Sequence, residues 1–209
     1  MTIMTPAPFA LADAAVLYGA LMEAAADAGD PDSHVFACIL SARAADGADP
    51  LDDAIGLAPD ELDRLLSKHF PGLAGLDSPV AGYIAARRGR RQGRAVADLV
   101  LAEEVDDLRT LLLDHVTAPA EEAVWLAAMV ARACLFSNHL WQDLGLTSRK
   151  DLSGLLLRHF GPLSAKNTGD MKWKKFFYKQ LCDREGLNLC KAPSCGVCTD
   201  FKHCFGPEE

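Results

Sequence analysis

The 209-residue sequence has few aromatic residues, 7% in all, and no apolar segment long enough to cross a membrane. Its strongest apolar run, from Val124 to Phe136, is broken by Arg132, whereas a helical span needs about 18 apolar residues. The N-terminus also lacks the basic segment with which a signal peptide begins. We therefore expect a protein that is neither exported nor inserted in a membrane, and a cytoplasmic location.

Motifs of common catalytic sites are absent as well. The chain has no glycine-rich phosphate loop, no G-x-S-x-G and no H-E-x-x-H, and its carboxylates are scattered over helix faces. These absences predict a protein that is not an enzyme. A chain of this length can bury about 70% of the surface that its unfolded form exposes, so the core does not need disulfides.

Basic residues are too few for a protein that binds nucleic acid or anionic membranes over its whole length. The chain has 21 Lys and Arg against 29 Asp and Glu, a formal charge of -8. The balance is uneven, however. Lys166–Glu209 holds eight basic and six acidic residues, or +2, which leaves -10 for residues 1–165.

A short arginine-rich run, Arg87–Arg94, lies in the middle of the chain, with five arginines in eight residues. Such a run could bind phosphate or an acidic partner. It contains no aromatic residue, however, and leads into the acidic stretch Glu103–Asp107. We interpret it as a solvated connector.

Alanine and leucine dominate, and apolar residues recur every three or four positions, with almost no alternation of period two. This pattern predicts an all-α fold, a helical bundle with an irregular C-terminal cysteine-rich loop. Stop signals at glycine and proline predict helices over about residues 9–28, 32–45, 59–70, 94–116, 119–137, 148–160 and 170–185.

The two halves of the chain contain similar segments. Val35–Leu57 has the same length as Val124–Leu146 and shares an Ala-Arg-Ala motif with it, and the match continues into Lys68-His69-Phe70 and Arg158-His159-Phe160. The alternative is chance similarity between leucine-rich helices. The match predicts two repeated helical units, over residues 32–76 and 119–165, within a body of residues 1–165 that precedes a segment of residues 166–209.

Four of the seven cysteines crowd into the last twenty residues. Their spacing is C-x4-C-x2-C-x5-C, formed by Cys190, Cys195, Cys198 and Cys204. In a reducing cytoplasm clustered cysteines more often bind metal than pair as disulfides. The segment has too few apolar residues to order itself as a core, so bound metal would supply the free energy of ordering.

The spacing favours an iron-sulfur cluster over zinc but leaves both open. Structural zinc sites usually place a dozen or more residues between two short cysteine pairs, and this motif has no such spacer. C-x4-C-x2-C also begins the plant-type ferredoxin pattern, although there the fourth cysteine lies farther along.

The helix before the motif has an apolar side and a basic side. The apolar residues are Trp173, Phe176, Phe177 and Leu181, and the lysines are Lys172, Lys175 and Lys179. A thiolate-bound cluster is anionic, so nearby lysines would offset its charge and attract an oxyanion such as molybdate. Lysines that only face water are the alternative. Lys191 and Lys202 within the loop are further candidates for the same role.

The cysteines outside the motif and two of the histidines lie in predicted helices, where structural roles are the simpler interpretation. Cys38 and Cys134 lie in alanine-rich helices and are interpreted as core, whereas Cys182 is a spare thiolate or, more simply, a buried structural thiol. His69 and His159 hold equivalent positions at helix ends, which favours capping or packing.

Three stretches together resemble the NifQ family of nitrogen-fixation proteins. They are Met171–Cys182, the cysteine motif with the Phe205-Gly206 that follows it, and Asn138–Leu146. The resemblance implies a carrier of a molybdenum-iron-sulfur cluster that donates molybdenum for the nitrogenase iron-molybdenum cofactor. It covers the C-terminal third well and the remainder loosely.

The resemblance also implies specific roles. The cluster, of the Mo-Fe3-S4 type, would be held by the four motif cysteines, with one exchangeable position on molybdenum. Independently of the resemblance, the position of His203 next to Cys204 makes it the best nitrogen candidate for a molybdenum ligand or for a donor to one. The alternative is a solvated loop histidine. Molybdate or thiomolybdate would be the source, and the NifEN scaffold and NifH would be acceptors. A ferredoxin-like carrier with a 4Fe-4S cluster and a zinc-stabilised interaction module remain as alternatives.

Overall fold

The computed structural model describes residues 13–47, 50–74, 78–89, 96–186 and 201–206, and of residues 96–100 and 201 it describes the backbone alone. Within these ranges the chain is helical and has no strand, which confirms the all-α prediction. The helices are α1 (Ala14–Glu23), α2 (Pro31–Asp46), α3 (Leu51–Ile55), α4 (Pro59–His69), α5 (Pro79–Ala85), α6 (Val96–Leu113), α7 (Glu121–Cys134), α8 (Leu140–Asp143), α9 (Arg149–His159), α10 (Gly161–Ser164), α11 (Trp173–Arg184) and α12 (Phe201–Cys204), with a 3-10 turn over Pro71–Ala74.

The chain forms two compact units. Unit 1 comprises Met1–Val96 and Leu144–Leu146, and unit 2 comprises Ala97–Asp143 and Thr147–Glu209. The division into a body of residues 1–165 and a C-terminal segment of residues 166–209 stays a prediction. Among the described helices, none combines the length and the hydrophobicity that crossing a bilayer demands.

Helices with clear start and stop residues agree with their sequence-based bounds. The N-cap of α2 is Asp30, whose carboxylate accepts from the backbone N–H groups of Asp32 and Ser33, and its C-cap is Gly47 in the left-handed region. Helix α4 begins at Pro59, as predicted, and its last residue is His69. The short helices α3, α5, α8, α10 and α12 were not predicted.

Helix α1 ends five residues earlier than predicted, at Glu23 rather than Ala28. The chain after it turns to bind the end of α4. The Ala24 carbonyl accepts from the Gly72 N–H at 3.0 Å, and the Ala26 N–H donates to the His69 carbonyl at 2.9 Å. These bonds satisfy backbone groups that a longer helix would have used internally, so the prediction was wrong at this end.

The core of unit 1 is built on α2, against which α1 and α3 pack. Phe36, Leu40, Leu17 and Leu21 are fully buried in it. His69 lies against this core, with its ring 4.7 Å from that of Phe36 and its Nδ1 2.9 Å from the Ser33 hydroxyl. The packing role predicted for this histidine is confirmed.

Helices α4 and α9 end in the same way. Phe70 and Phe160 follow them with backbone angles φ -129, ψ 54 and φ -130, ψ 44, and both rings are fully buried. The Thr117 N–H donates to the His159 carbonyl at 2.8 Å, as the Ala26 N–H does to that of His69. The matching ends are what a repeat would produce.

The interpretation of Arg87–Arg94 as a solvated connector is wrong for its first two arginines. Arg87 stacks on the Tyr83 ring at 3.8 Å and donates to the Ala44 carbonyl at 2.8 Å. Arg88 pairs with Asp63 at 2.5 Å and with the buried carboxylate of Asp52 at 3.5 Å. Both side chains therefore link the end of α5 to other elements of unit 1. They donate to a carbonyl and to carboxylates that would otherwise lack these partners. The remaining arginines of the run lie outside the described residues.

The core of unit 2 is built on α7, where ten residues are buried. Trp125 is its largest fully buried side chain. Helix α11 adds Trp173, Phe176 and Phe177, whose ring centroids lie 5.7 to 5.9 Å apart, a spacing typical of packed aromatic groups. Burying these three rings fixes the face of α11 that meets the unit and so positions everything attached to the helix.

Candidate metal centre

One of the four motif cysteines lies in the described part of the chain. Cys204 is the last residue of α12 and is partly exposed. Cys190, Cys195 and Cys198, together with Lys191, lie outside the described residues. Within the described ranges, no three His, Cys, Asp or Glu side chains form a group that could hold a metal ion. The four-thiol site therefore stays a prediction.

Cys204 is attached to the N-terminus of α11. The backbone N–H of Lys172, the N-cap residue, donates to the Cys204 carbonyl at 2.8 Å. The next residue, Phe205, lies so close to Gly169 that a Cβ on this glycine would be 3.3 Å from the ring. These two contacts place the end of the motif beside the start of α11.

The turn before α11 is held by side chains. The Asn167 amide donates to the Met171 carbonyl and its oxygen accepts from the Met171 N–H, both at 2.9 Å. Asp170 adopts φ 52, and its carboxylate accepts from Arg149 at 2.8 Å. Because a left-handed residue cannot continue a helix, α11 begins at Trp173, and the predicted start at Asp170 was wrong.

The two sides of α11 differ as the sequence indicated. Trp173, Phe176 and Phe177 are buried, while Lys175 is exposed and Lys172 is partly exposed. Lys179 is also partly exposed and pairs with Asp183 at 2.6 Å. Leu181 is only half-buried. Of the three lysines predicted on this helix, Lys172 is the N-cap and Lys175 lies in the first turn, so these two are nearest along the helix to the end that binds Cys204.

Several features favour negative charge beside Cys204. The N-terminus of α11 has no side-chain cap, and its dipole places partial positive charge there. Lys202 and His203 are exposed on α12, directly before Cys204. Lys172 is the residue whose N–H binds the Cys204 carbonyl. An anionic cluster bound at Cys204 would thus lie among basic groups.

Lys174 was not among the lysines predicted to have a role, although it is the most constrained lysine of α11. Its Nζ lies 2.5 Å from Asp143 Oδ2 and 2.7 Å from the Phe136 carbonyl. Asp143 is buried, and its other oxygen accepts from the Asn138 amide at 3.1 Å. The available signal was a lone aspartate among the apolar residues of the α8 segment, because a buried carboxylate requires a cationic partner.

A second polar pair fastens the middle of α11. The Tyr178 hydroxyl donates a short hydrogen bond to the Glu104 carboxylate on α6. Burial, together with this bond, raises the pKa of Tyr178. Cys134 on α7 faces the same groups, and burial raises the pKa of its thiol to about 12, although Lys174 opposes the rise. Cys134 is therefore an inert core thiol.

The remaining cysteines divide between the core and the surface. Cys38 and Cys134 are buried, which confirms their predicted core positions. Cys182 is partly exposed on α11, so the simpler prediction of a buried thiol was wrong. Its side chain can reach solvent, whereas that of Cys134 cannot.

Comparison with known proteins identifies the family. The NifQ family model matches residues 35–206. The chain belongs to the NifQ family. Protein NifQ of Azotobacter vinelandii is 40% identical over 163 residues, which are 78% of this chain and 83% of that protein. Protein NifQ homolog of Sinorhizobium fredii is 40% identical over 184 residues, 86% of this chain and 74% of that protein.

Protein NifQ of Klebsiella pneumoniae is 34% identical over 166 residues, 78% of this chain and 91% of that protein. No solved structure matches the chain. The family model ends at Gly206 and so includes α11 and all four motif cysteines. Membership of the NifQ family places the protein in nitrogen fixation and confirms the resemblance seen in the sequence.

Proposed function

We propose that the protein carries molybdenum and donates it for assembly of the nitrogenase iron-molybdenum cofactor. Molybdenum would be held as cargo in a Mo-Fe3-S4 cluster on Cys190, Cys195, Cys198 and Cys204. The observation that carries the proposal is the placement of Cys204. The last cysteine of a four-thiol motif is held at the N-terminus of α11 in a chain of the NifQ family.

The chemistry of the four side chains suits this cargo. Thiolates are soft ligands, and iron-sulfur clusters are held by them. Four thiolates around a cubane with three irons leave one ligand for molybdenum. A position that competing ligands can enter is what a donor requires, because transfer begins with ligand exchange. The acceptors would be the NifEN scaffold and NifH.

Charge around Cys204 supports the choice of an anionic cargo. Lys202 and His203 directly precede Cys204 on α12, and Lys172 and Lys175 lie at the N-terminal end of α11, to which Cys204 is bonded. Cationic groups raise the local concentration of molybdate or thiomolybdate and stabilise an anionic cluster once it forms. The protein in this proposal binds and releases metal and does not catalyse a turnover reaction.

Anaerobic purification with analysis of molybdenum, iron and acid-labile sulfide tests the proposal. We expect all three in the protein from cells supplied with molybdate, and movement of molybdenum to molybdenum-free NifEN on mixing. A colourless protein that holds one zinc and no iron would overturn the proposal. Iron and sulfide without molybdenum, with a reversible redox couple, would indicate an electron carrier instead.

Two serine variants make the test specific for the motif. Cys198→Ser should remove iron and molybdenum while the helical circular dichroism stays nearly unchanged, because the described helices themselves supply most of the buried residues of both cores. Cys182→Ser changes the partly exposed thiol outside the motif and should keep the iron content of the unmodified protein, whereas loss of iron in this variant would mean that Cys182 is a ligand and that the four motif cysteines are not the whole site.

A further inference from the structure

The turn that precedes α11 contacts the end of the cysteine motif at two points. We propose that this turn, residues 167–172, is a seat that holds Cys204 in place before the cluster binds, so that Cys204 is a preordered ligand. This inference rests on the proposed function, because it assigns an order of events to the same cluster site. Asn167, Gly169 and Phe205 are then positioning residues.

The first contact fixes the backbone of Cys204. The Lys172 N–H donates to the Cys204 carbonyl at 2.8 Å, and the Lys172 carbonyl accepts from the Phe176 N–H at 2.9 Å within α11. Cys204 is thereby joined through a single residue to the hydrogen-bonded ladder of a twelve-residue helix. Its backbone position follows that of α11, which three buried aromatic rings fix in unit 2.

The second contact fixes the chain just after Cys204. Phe205 packs over Gly169, where a Cβ would lie 3.3 Å from ring atom Cε1 and 4.0 Å from Cζ. A side chain at position 169 would therefore displace the ring. Glycine at this position leaves room for Phe205, so the backbone is held both at the Cys204 carbonyl and at the residue that follows it.

The seat itself is rigid for reasons that do not involve the motif. Asn167 binds both backbone groups of Met171 at 2.9 Å. Arg149 on α9 donates to the Asp170 carboxylate at 2.8 Å and to the Met171 carbonyl at 3.0 Å. The turn is thus closed by one side chain and tied to α9 by another, and neither side chain belongs to the cysteine motif.

A preordered ligand lowers the cost of cluster binding. A ligand whose backbone is already fixed gives up less conformational entropy when it binds metal than the same ligand would if it had to be ordered first. Cys204 held in the seat would accordingly bind the cluster more tightly, and release it more slowly, than Cys204 without the seat.

The seat can be tested apart from the stability of the fold. Gly169 and Asp170 are exposed and Phe205 is only partly buried, so a change there removes little of the core. Alkylation of the metal-free protein, followed by mass spectrometry of its peptides, measures the reactivity of each cysteine. Cys182, on α11 but away from the seat, serves as the reference within the same chain.

We expect Cys204 to alkylate at least a few-fold faster in Phe205→Ala and Gly169→Leu than in the unmodified protein, with Cys182 unchanged. Gly154→Leu on α9 is the matched control, because a Cβ there would meet only the flexible end of Arg158 at 3.7 Å. Equal Cys204 rates in all four proteins would overturn the proposal. Asn167→Ala gives a third, independent disruption of the seat should either of the others fold poorly.

Cluster retention separates failure of this inference from failure of the proposed function. After reconstitution with iron and sulfide, the seat variants should lose iron to a chelator at least a few-fold faster than the unmodified protein and Gly154→Leu. Faster alkylation without faster iron loss would overturn the role of the seat. An unmodified protein that takes up neither iron nor molybdenum would overturn the proposed function, while the alkylation rates would still decide whether the seat exists.

Discussion

The ammonium group of Lys174 lies 2.5 Å from the carboxylate of Asp143, which is 2% exposed. Lys174 on α11 and Asp143 on α8 are 31 residues apart in the sequence. The same ammonium also donates to the Phe136 carbonyl. Helix α11 is therefore attached to unit 2 by an ion pair at its first turn, close to the site at which it holds Cys204.

Lys174→Met tests how much this ion pair contributes to the free energy of unfolding. The substitution leaves the buried carboxylate without its cationic partner. Because the hydrogen bond from the Asn138 amide remains, we expect a loss of about 2–4 kcal/mol of unfolding free energy. Denaturant titration monitored by circular dichroism measures the loss. Lys175→Met is the control, because Lys175 is exposed on the same turn and should change stability by no more than about 0.5 kcal/mol. Similar values for the two variants would contradict the assignment.

Arg88→Met makes the equivalent change in unit 1. Asp52 is 1% exposed, and Arg88 is its cationic partner at 3.5 Å, while the Gly89 N–H donates to its other oxygen at 2.7 Å. Because that backbone bond remains, we expect a loss of about 2–4 kcal/mol.

Arg64→Met is the matched control for this change. Arg64 pairs with Asp60 at 3.3 Å on the surface, where an ion pair contributes about 0–1 kcal/mol. Denaturant midpoints of the two variants give the comparison. An Arg88 variant as stable as the Arg64 variant would show that Asp52 does not depend on this arginine.

Local sequence signals were enough for helices α2 and α4 and for the grouping of the motif cysteines. Helix α2 has an aspartate N-cap and a glycine C-cap, and α4 has Pro59 and Pro71 near its ends, so each boundary is encoded within a few residues. The four motif cysteines lie within fifteen residues, so their grouping is likewise visible without knowledge of the fold.

Features that depend on distant residues could not be read from the sequence. Nothing near Lys174 distinguishes it from its exposed neighbour Lys175, because its partner Asp143 is brought to it by packing of the unit. Arg88 was assigned to solvent for the same reason, since Asp52 lies 36 residues before it. Short helices such as α8, with four residues, are too brief to show a helical period.

Stability at alkaline pH should depend on Cys134. Burial raises the pKa of its thiol to about 12, with Lys174 opposing, whereas the unfolded thiol has a pKa of about 8.5. The thiol therefore stabilises the fold fully below about pH 8, and this contribution is lost as the pH rises toward the folded pKa. Unfolding free energy should fall by about 2 kcal/mol between about pH 8 and about pH 10 because of this group.

Cys134→Ala isolates that dependence. The variant is expected to be less stable at neutral pH, because a buried side chain becomes smaller, but to decline less steeply at alkaline pH. Tyr178, whose pKa is also raised by burial, contributes a slope of the same sign in both proteins. Parallel pH profiles for the two proteins would mean that the Cys134 thiol does not titrate with unfolding.

Two glycines of unit 1 should respond in opposite ways to alanine. A Cβ on Gly72 would lie 2.8 Å from the Ala24 Cα, which is backbone and has little freedom to move, so Gly72→Ala should cost about 1–3 kcal/mol. A Cβ on Gly82, inside α5, meets nothing within 4 Å. Gly82→Ala should therefore stabilise by about 0.5–1 kcal/mol. The thermal unfolding midpoint of each variant measures the effect. Equal changes of the midpoint in the two variants would contradict the close approach at Gly72.

Lysines beside Cys204 should accelerate molybdenum uptake, if the cargo is the oxyanion that we propose. Lys172→Gln with Lys202→Gln removes two positive charges near the end of the motif and leaves the backbone bond between residues 172 and 204 intact. The initial rate of uptake from molybdate should fall roughly threefold at low ionic strength. At physiological salt the two proteins should converge, because charges farther apart than about 8 Å are screened. Arg64→Gln with Lys68→Gln removes the same charge from exposed positions on α4 of unit 1, and an equal loss of rate in that control would mean that net charge, rather than these two lysines, attracts the oxyanion.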